Sequence, residues 1–430
     1  MQKYLTALAL LCASISAPFG SANGAPVADA DNPVIDWNKT LLTIVRTKGA
    51  QPPTVHPTRS FAILHAAIYD AVNSIGRTHD SFLVEVNRVS QPASEDAAAA
   101  AAAHEVLTAL YPSFQARIDA QLEQFLAQLP DEASKNEGVR VGRAVAEAVL
   151  ALRSDDGSDA APIPYVFGSA PGNYQSTPPN FPSQPQFTHW SRVTPFLLRR
   201  AHQYRPGPPP ALTSDLYSDV FNQVISVGIA GSTSATADQA LTGKFWNGAI
   251  QNYWNEIAQT AAKARGLNTA RSALLFALVN AAVADGVIAF YDAKYTYNFW
   301  RPVTAIRAGA ADGNPETLAD PTWLPQSGNT APDPSYPGAH AAISGAAAHV
   351  LASFFGDQFS IVVTSEVMPG VERNFRSFSA AEQEASLSRI FAGVHFLSDE
   401  TAGQKLGHEV AAFDIGRVLG PEEGGDSGWN

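Results

Sequence analysis

The stretch KYTYNFWRP, residues 294–302, closes a helical pattern that begins near residue 270 and carries two cations. Lys294 and Arg301 are seven positions apart, about two helical turns, so both should project from one face, roughly 10.5 Å apart along the axis. Pro302 disfavours the helical conformation at Arg301 and should end the helix there. The pair alone also fits a solvated basic face. The aromatic residues between the two cations argue against full exposure, so we expect both side chains to meet on one anion.

The stretch YPGAH, residues 336–340, marks the start of another helix, predicted over 339–355. The first N–H groups of a helix have no partner within it, and together with the helix dipole they favour a bound anion. The backbone N–H of Ala339 and the side chain of His340 belong to this first turn and would touch whatever binds there. In isolation, His340 also fits a surface histidine near a helix cap.

The stretch SRIFAGVHFLSD, residues 388–399, lies within a helical pattern predicted over 381–418. Asp399 follows His395 by one helical turn and can accept a proton from one imidazole nitrogen. That contact would leave the other nitrogen free as a nucleophile or a ligand. Arg389 adds a planar fork of donors suited to phosphate-like oxygens. Together the three stretches supply one lysine, two arginines and two histidines for a single oxyanion site.

Helical periodicity dominates the rest of the chain and predicts an all-α fold. We expect two consecutive bundles, an N-terminal one over 26–155 and a catalytic one over 213–420 that holds the oxyanion site. A Pro-rich crossover over 156–212 separates them, and a flexible tail follows over 421–430. No convincing sequence repeat relates the two bundles. The individual helices are predicted over 59–75, 94–110, 113–129, 132–153, 213–229, 235–249, 251–265, 270–300, 339–355 and 381–418.

The N-terminus has the pattern of a secretory signal peptide of about 22 or 25 residues. Lys3 supplies the positive charge, an apolar stretch runs over 4–13, and small residues follow, with Ala22 and Ala25 as candidate cleavage points. We therefore expect a secreted or periplasmic protein. The one cysteine of the chain, Cys12, lies inside this segment, so the mature protein would have no disulfide and would rely on its core.

The composition of the chain argues against several other classes of function. The formal net charge of −12, with no basic stripe to offset it, argues against nucleic-acid binding. Hydrophobic residues make up 45% of the chain, as in folded globular proteins, and no later stretch approaches the ~18 uninterrupted apolar residues of a membrane span. Motifs of zinc proteases, serine hydrolases and nucleotide-binding loops are absent from the sequence. The sequence leaves homo-oligomerisation open.

In this combination and order, the three stretches resemble the vanadium-dependent haloperoxidases and their relatives, the type 2 phosphatidic acid phosphatases and bacterial acid phosphatases. Those families share the pattern K-x6-R-P, then P-S-G-H, then S-R-x5-H-x3-D. The first and third stretches match it completely, and FWRP and SRIFAGVH are particularly similar to the haloperoxidase branch. In the crossover, GNYQSTPPNF and QYRPGPPPAL are also similar to exported bacterial members of that branch.

The second stretch departs from the pattern, because Gly338 and Ala339 stand where the family has serine and glycine. The N–H of Ala339 can replace that of the usual glycine, but the serine hydroxyl that donates to the bound anion is lost. A lost hydrogen bond to a charged group costs about 1.5–3 kcal/mol, or roughly ten- to hundredfold in affinity. We expect a weakened site, and a degenerate anion-binding protein is an alternative function.

The resemblance implies that vanadate is the cofactor and that it is bonded to His395. The groups that would hold its oxygens are Lys294, Arg301, Arg389 and the N–H of Ala339. Hydrogen peroxide and a halide would be the substrates, with His340 as acid–base catalyst and Lys294 donating to the bound peroxide. Asp399 would orient His395.

The same residues also fit the hydrolysis of phosphate esters, since vanadate in such a site imitates a phosphoryl group. His395 would then attack phosphorus to form a phosphohistidine, and His340 would protonate the leaving alcohol. The sequence also leaves open whether Asp285 or Asp292, both upstream of Lys294 on its predicted helix, pairs with an arginine of the site.

Overall fold

Helices make up nearly all the regular structure of the computed structural model, which describes residues 32–86, 89 and 92–420. The predicted all-α fold is confirmed. Among the described residues, the one pair of strands, β1 (Ile361–Thr364) and β2 (Glu372–Phe375), forms a small antiparallel hairpin. The predicted signal peptide with Cys12 and the predicted tail over 421–430 lie outside the described residues.

The α-helices follow the predicted periodicity, with α1 and α10 as additions that the sequence did not reveal. They are α1 (Pro33–Arg46), α2 (Pro57–Gly76), α3 (Glu95–Leu110), α4 (Gln115–Leu126), α5 (Glu132–Leu152), α6 (Asp215–Val227), α7 (Ala237–Phe245), α8 (Ile250–Ala264), α9 (Thr269–Tyr297), α10 (Pro302–Arg307), α11 (Ala339–Phe355), α12 (Phe378–Phe391) and α13 (Leu397–Leu419). The described residues from Asn32 onward cluster as one compact unit. The domain boundaries drawn from the sequence at 155 and 213 stay predictions.

The same packing arrangement occurs in both halves of the molecule. In the first half, α5 lies against the alanine-rich helix α3, and a Cβ at Gly142 would come 2.9 Å from the backbone nitrogen of Ala102. In the second half, α13 lies against α11, and a Cβ at Gly407 would come 2.7 Å from the backbone nitrogen of Ala346. Because glycine has no Cβ, the helix backbones can approach each other closely at these points.

Two buried aspartates mark a second correspondence between the halves. Asp70 of α2 accepts hydrogen bonds from the backbone N–H groups of residues 82–84, at 2.5–2.9 Å. Asp285 of α9 accepts from the N–H groups of residues 196–198, at 2.6–2.8 Å. Each carboxylate therefore fixes a loop to a core helix. Asp285 is occupied in this way and does not pair with an arginine of the predicted site.

Helix α9 ends earlier than the sequence predicted. Asn298 adopts a left-handed conformation with φ of 51°, which terminates the helix at Tyr297. Arg301 is extended and forms the N-cap of the short helix α10, which Pro302 begins. The prediction that Lys294 and Arg301 share one helix face is therefore wrong, and the loop between the two helices brings them together instead.

The predicted helix over 381–418 is divided into α12 and α13 by residues 392–396. Gly393 has a φ of 79° in this break, a conformation that glycine adopts without strain. His395 thus lies in a loop, and Asp399 lies in the first turn of α13. The contact expected between His395 and Asp399 is present, but it joins a loop residue to the first turn of α13 instead of two residues of one helix.

Helix α9 is long and apolar enough to cross a membrane by length and composition, and it is the one such helix among the described residues. Its most apolar window is fully buried inside the protein. The helix packs against α2 of the first half and against α11 and α13 of the second. It is therefore the central core helix, and it carries Lys294 in its last turn.

We predict that Gly407→Ala lowers the free energy of unfolding by about 1–3 kcal/mol, because the added methyl group overlaps the backbone of α11. Gly416→Ala on the same helix is the matched control, since a Cβ there meets no atom within 4 Å. The control should raise stability by up to about 1 kcal/mol through helix propensity. Thermal unfolding measures both, and equal melting temperatures for the two variants would contradict the packing model.

Candidate active site

The side chains singled out from the sequence come from five different places in the second half of the fold. They are Lys294 in the last turn of α9, Arg301 before α10, His340 in the first turn of α11, Arg389 in the last turn of α12 and His395 before α13. Burial lowers the pKa of His395 well below its usual value, and the charges of Arg301, Lys294 and Arg389 lower it further. Direct contacts join Arg301 to His395, and one carboxylate contacts both Arg301 and Lys294. His340 and Arg389 bond to the adjacent residues 246 and 247, so the structure brings these groups together.

His395 is held as a neutral imidazole with a defined tautomer. Its Nε2 lies 2.9 Å from Nη1 of Arg301, and because a guanidinium only donates, Nε2 must carry the lone pair. Its Nδ1 lies 3.2 Å from Oδ2 of Asp399, which can accept the proton on that nitrogen. The same carboxylate accepts from Ser335 Oγ at 2.5 Å and from the N–H of Phe396 at 3.0 Å. A nucleophilic or ligating nitrogen is thus directed towards the cations.

His340 is oriented in the opposite sense. Its Nε2 lies 3.0 Å from the carbonyl oxygen of Trp246, which can only accept, so Nε2 carries the proton and Nδ1 the lone pair. Burial lowers the pKa of His340 well below its usual value, and the charge of Arg389 adds to this shift. Ala339 and His340 are partly exposed, whereas Lys294 and His395 are buried. Among these residues, the first turn of α11 is therefore the part that solvent reaches.

Lys294 and Arg301 are both engaged by a carboxylate that the sequence analysis did not single out. Asp333 accepts from Arg301 Nη2 and lies 3.4 Å from Lys294 Nζ. The Arg301 side chain is fixed further by bonds from Nε to the backbone carbonyl of Asp333, at 2.8 Å, and from Nη1 to that of Val394, at 2.9 Å. Burial lowers the pKa of Lys294 to about 8, and Asp333 opposes that shift.

Arg389 is the cation with spare hydrogen-bonding capacity. Its Nη1 donates to Oδ1 of Asn247 at 3.1 Å. Its Nε is buried and has no acceptor among the described residues. A buried guanidinium N–H without a partner is costly, and an oxyanion would satisfy it in a planar, charge-assisted bond.

The donor set was tested against the oxyanion that the sequence resemblance implies. The described residues contain no group of three or more His, Cys, Asp or Glu side chains that could hold a bare metal ion. They do bring one unprotonated imidazole nitrogen, three cations and the first turn of α11 to one place. This arrangement fits an anion held by donors and bonded to a single protein nitrogen, such as vanadate or phosphate.

The space beside Gly338 is filled by a buried carboxyl group. A Cβ at this position would come 2.6 Å from Cδ of Glu400, whose side chain fills the space that a serine would need. Glu400 is buried, neither of its carboxyl oxygens has a hydrogen-bond partner among the described residues, and Oε1 lies 3.5 Å from His395 Nδ1. Burial raises the pKa of Glu400 to about 8, and the neighbouring Asp399 contributes.

Sequence reasoning missed Asp333 and Glu400, although each lies close to a motif. Glu400 directly follows Asp399, and Asp333 lies three positions before the start of the YPGAH stretch. Buried carboxylates have no periodic signal, so adjacency to a motif was the available hint. Asp292, the other carboxylate considered as a partner of a site arginine, instead pairs with Arg205 at 2.6 Å outside the site.

Comparisons with known proteins agree with the sequence resemblance. Residues 274–420 match the family model of the VCPO second helical-bundle domain. The chain is 25% identical to the vanadium chloroperoxidase of Curvularia inaequalis, over 90% of this chain and 83% of that protein. The resemblance drawn from the three motifs is confirmed.

Solved structures of bacterial proteins show the same fold. The first bacterial vanadium-dependent iodoperoxidase is similar with a TM-score of 0.76 and 24% identity, over 92% of this chain and 98% of that one. A holo-type bacterial vanadium-dependent chloroperoxidase is similar with a TM-score of 0.65 and 15% identity, over 91% and 93% of the two chains. The whole described architecture, rather than the second half alone, is therefore shared with these proteins.

We predict that Gly338→Ser destabilises the protein by about 1–3 kcal/mol, because the new Cβ and hydroxyl overlap the buried Glu400 carboxyl. The double variant Gly338→Ser with Glu400→Ala should recover most of that loss, since the alanine vacates the space. A double-mutant cycle by thermal unfolding measures the coupling between the two positions. Additive effects of the two changes would show that Glu400 is not what excludes a serine.

Proposed function

We propose that this protein is a vanadate-dependent haloperoxidase that oxidises a halide with hydrogen peroxide, a function supported by the match of residues 274–420 to the model of the VCPO second helical-bundle domain. One observation carries the proposal: the unprotonated nitrogen of a neutral histidine, His395, lies against the buried cations. Bound vanadate would act as a Lewis acid that activates hydrogen peroxide. His395 Nε2 would bond to it, and its oxygens would be held by Lys294, Arg301, Arg389 and the N–H of Ala339.

In this proposal His340 moves the proton. Its Nδ1 carries the lone pair, and the carbonyl of Trp246 holds the ring in place through Nε2. Burial is the main cause of the low pKa of His340, and a bound anion would raise that pKa by offsetting the repulsion from Arg389. His340 could then accept a proton from hydrogen peroxide at the partly exposed side of the site and return it to the product.

Asp399 would act through His395 in the same proposal. By accepting the proton on Nδ1, it keeps the lone pair on Nε2 and raises the basicity of the ligating nitrogen. Ser335 and the N–H of Phe396 hold the carboxylate in position. Asp399 is therefore a positioning residue, and His395, His340, Lys294, Arg301 and Arg389 are the groups that would touch the cofactor or the substrates.

We predict that His395→Ala reduces halide oxidation to the background rate, because the bond that anchors the cofactor is lost. The assay is bromination of a phenol dye with hydrogen peroxide and added vanadate. His349→Ala is the matched control, since this histidine of α11 contacts His408 away from the site, and it should retain activity. Appreciable turnover by the His395 variant would refute the assigned role.

A parallel assay of phosphate-ester hydrolysis without vanadate separates the alternatives. The proposal expects the wild-type protein to oxidise bromide and to hydrolyse phosphate esters weakly or not at all. Hydrolysis that depends on His395, without halide oxidation, would replace the proposal by a phosphatase. If the protein binds vanadate but shows neither activity, it is a degenerate anion-binding protein.

We also infer that the protein is exported to the periplasm or the medium, on the evidence of Lys3, the apolar stretch over 4–13 and the small residues after it. N-terminal sequencing of the mature chain after expression in a bacterium measures this directly. A mature N-terminus near residue 23 or 26 is expected, after Ala22 or Ala25. An intact N-terminal segment on a protein retained in the cytoplasm would contradict export.

A further inference from the structure

Asp333 occupies a fixed position inside the cation cluster. It lies between Pro332 and Pro334 in the loop before α11 and is 3% exposed. One of its carboxylate oxygens, Oδ1, accepts from Arg301 and lies 3.4 Å from Lys294 Nζ. The two flanking prolines restrict the movement of the backbone at Asp333, and so does the hydrogen bond that the backbone carbonyl of Asp333 accepts from Arg301 Nε.

The ammonium group of Lys294 is fully used by this loop. Its three N–H donors have three acceptors within the protein: the carbonyl of Pro334, the carbonyl of Ser335 at 3.2 Å and the Asp333 carboxylate. Arg301 likewise directs Nη2 at Asp333. Neither cation can donate fully to an external oxyanion while Asp333 stays in place.

The charges in the cluster lead to the same conclusion. Lys294 and Arg301 hold the pKa of Asp333 below its usual value even though burial raises it, so this carboxylate is ionised at neutral pH. An oxyanion that reached Lys294 and Arg301 would lie beside a buried negative charge, where repulsion is poorly screened. Displacement of Asp333 from at least one cation would relieve the repulsion and free the donors.

We propose that Asp333 sets the anion affinity of the site, as an internal carboxylate that competes with the bound oxyanion for Lys294 and Arg301. The inference rests on the proposed function in placing the oxyanion at these cations. Asp333 would thus weaken anion binding, in addition to the weakening expected from the loss of the serine that Gly338 replaces.

The test is the affinity for inorganic phosphate, measured by isothermal titration calorimetry at fixed pH and ionic strength. Asp333→Asn keeps the shape of the side chain and removes its charge. The proposal expects phosphate to bind this variant about tenfold or more tighter than the wild type, because the competing charge is gone. Asp292→Asn, which removes an aspartate from an arginine pair outside the site, should leave the affinity unchanged.

Unchanged or weaker phosphate binding by Asp333→Asn would overturn the proposal and assign Asp333 to positioning the cations. Should that variant fail to fold, a crystal structure of the wild type with phosphate decides the question. The proposal expects the Asp333 carboxylate to have left Lys294 or Arg301, and phosphate bound at these cations with both contacts intact would overturn it. Neither the phosphate affinity nor the phosphate-bound structure depends on halide oxidation. The proposed function can therefore fail while this inference stands, and this inference can fail while the proposed function stands.

Discussion

The burial of three cations around one imidazole is the constraint on which the rest of the site depends. Transfer of an ion from water into a protein interior costs several kcal/mol unless opposite charges and hydrogen bonds offset it. The protein provides carboxyl groups within the same cluster for this purpose, namely Asp333 and Asp399. Burial and the neighbouring cations together lower the pKa of His395 and keep it neutral, since a second positive charge beside Arg301 is disfavoured.

The scaffold brings these charges together by close helix contacts. Gly407 and the alanines of α11 allow α11 and α13 to approach each other, and the N–H of Gly338 donates to the carbonyl of Asp399 at 2.8 Å. This bond ties the starts of the two helices together, so that His340 and His395 are fixed relative to one another. The core packing of the second bundle therefore determines the geometry of the site.

The sequence predicted the fold class and the identity of the clustered residues because both leave local patterns. Apolar periodicity marks helices, and the three motifs mark the cations and histidines. It did not predict how the residues approach one another. The left-handed Asn298 and the break at Gly393 depend on the surrounding tertiary structure, and each moved a site residue from a helix into a loop.

The partners of the cations were equally hidden from the sequence. Asp333 and Glu400 matter because of what lies opposite them in space, and a single sequence contains no record of such pairs. The replacement at position 338 illustrates the point. The sequence predicted only a lost hydrogen bond to the anion, whereas the structure shows that the Glu400 carboxyl group fills the space that a serine would need. Local chemistry was thus predictable, whereas charge balance and steric exchange required the structure.

A crystal structure of the vanadate complex, with the vanadium content per chain measured by elemental analysis, tests the central claim most directly. Together the two measurements report the stoichiometry and the protein atom bonded to vanadium. If the five side chains surround one oxyanion site, the protein should bind one vanadate per chain with one nitrogen ligand, and His395→Ala should lose that ligand. Binding without a nitrogen ligand, or with a nitrogen ligand that persists in the His395 variant, would contradict the account.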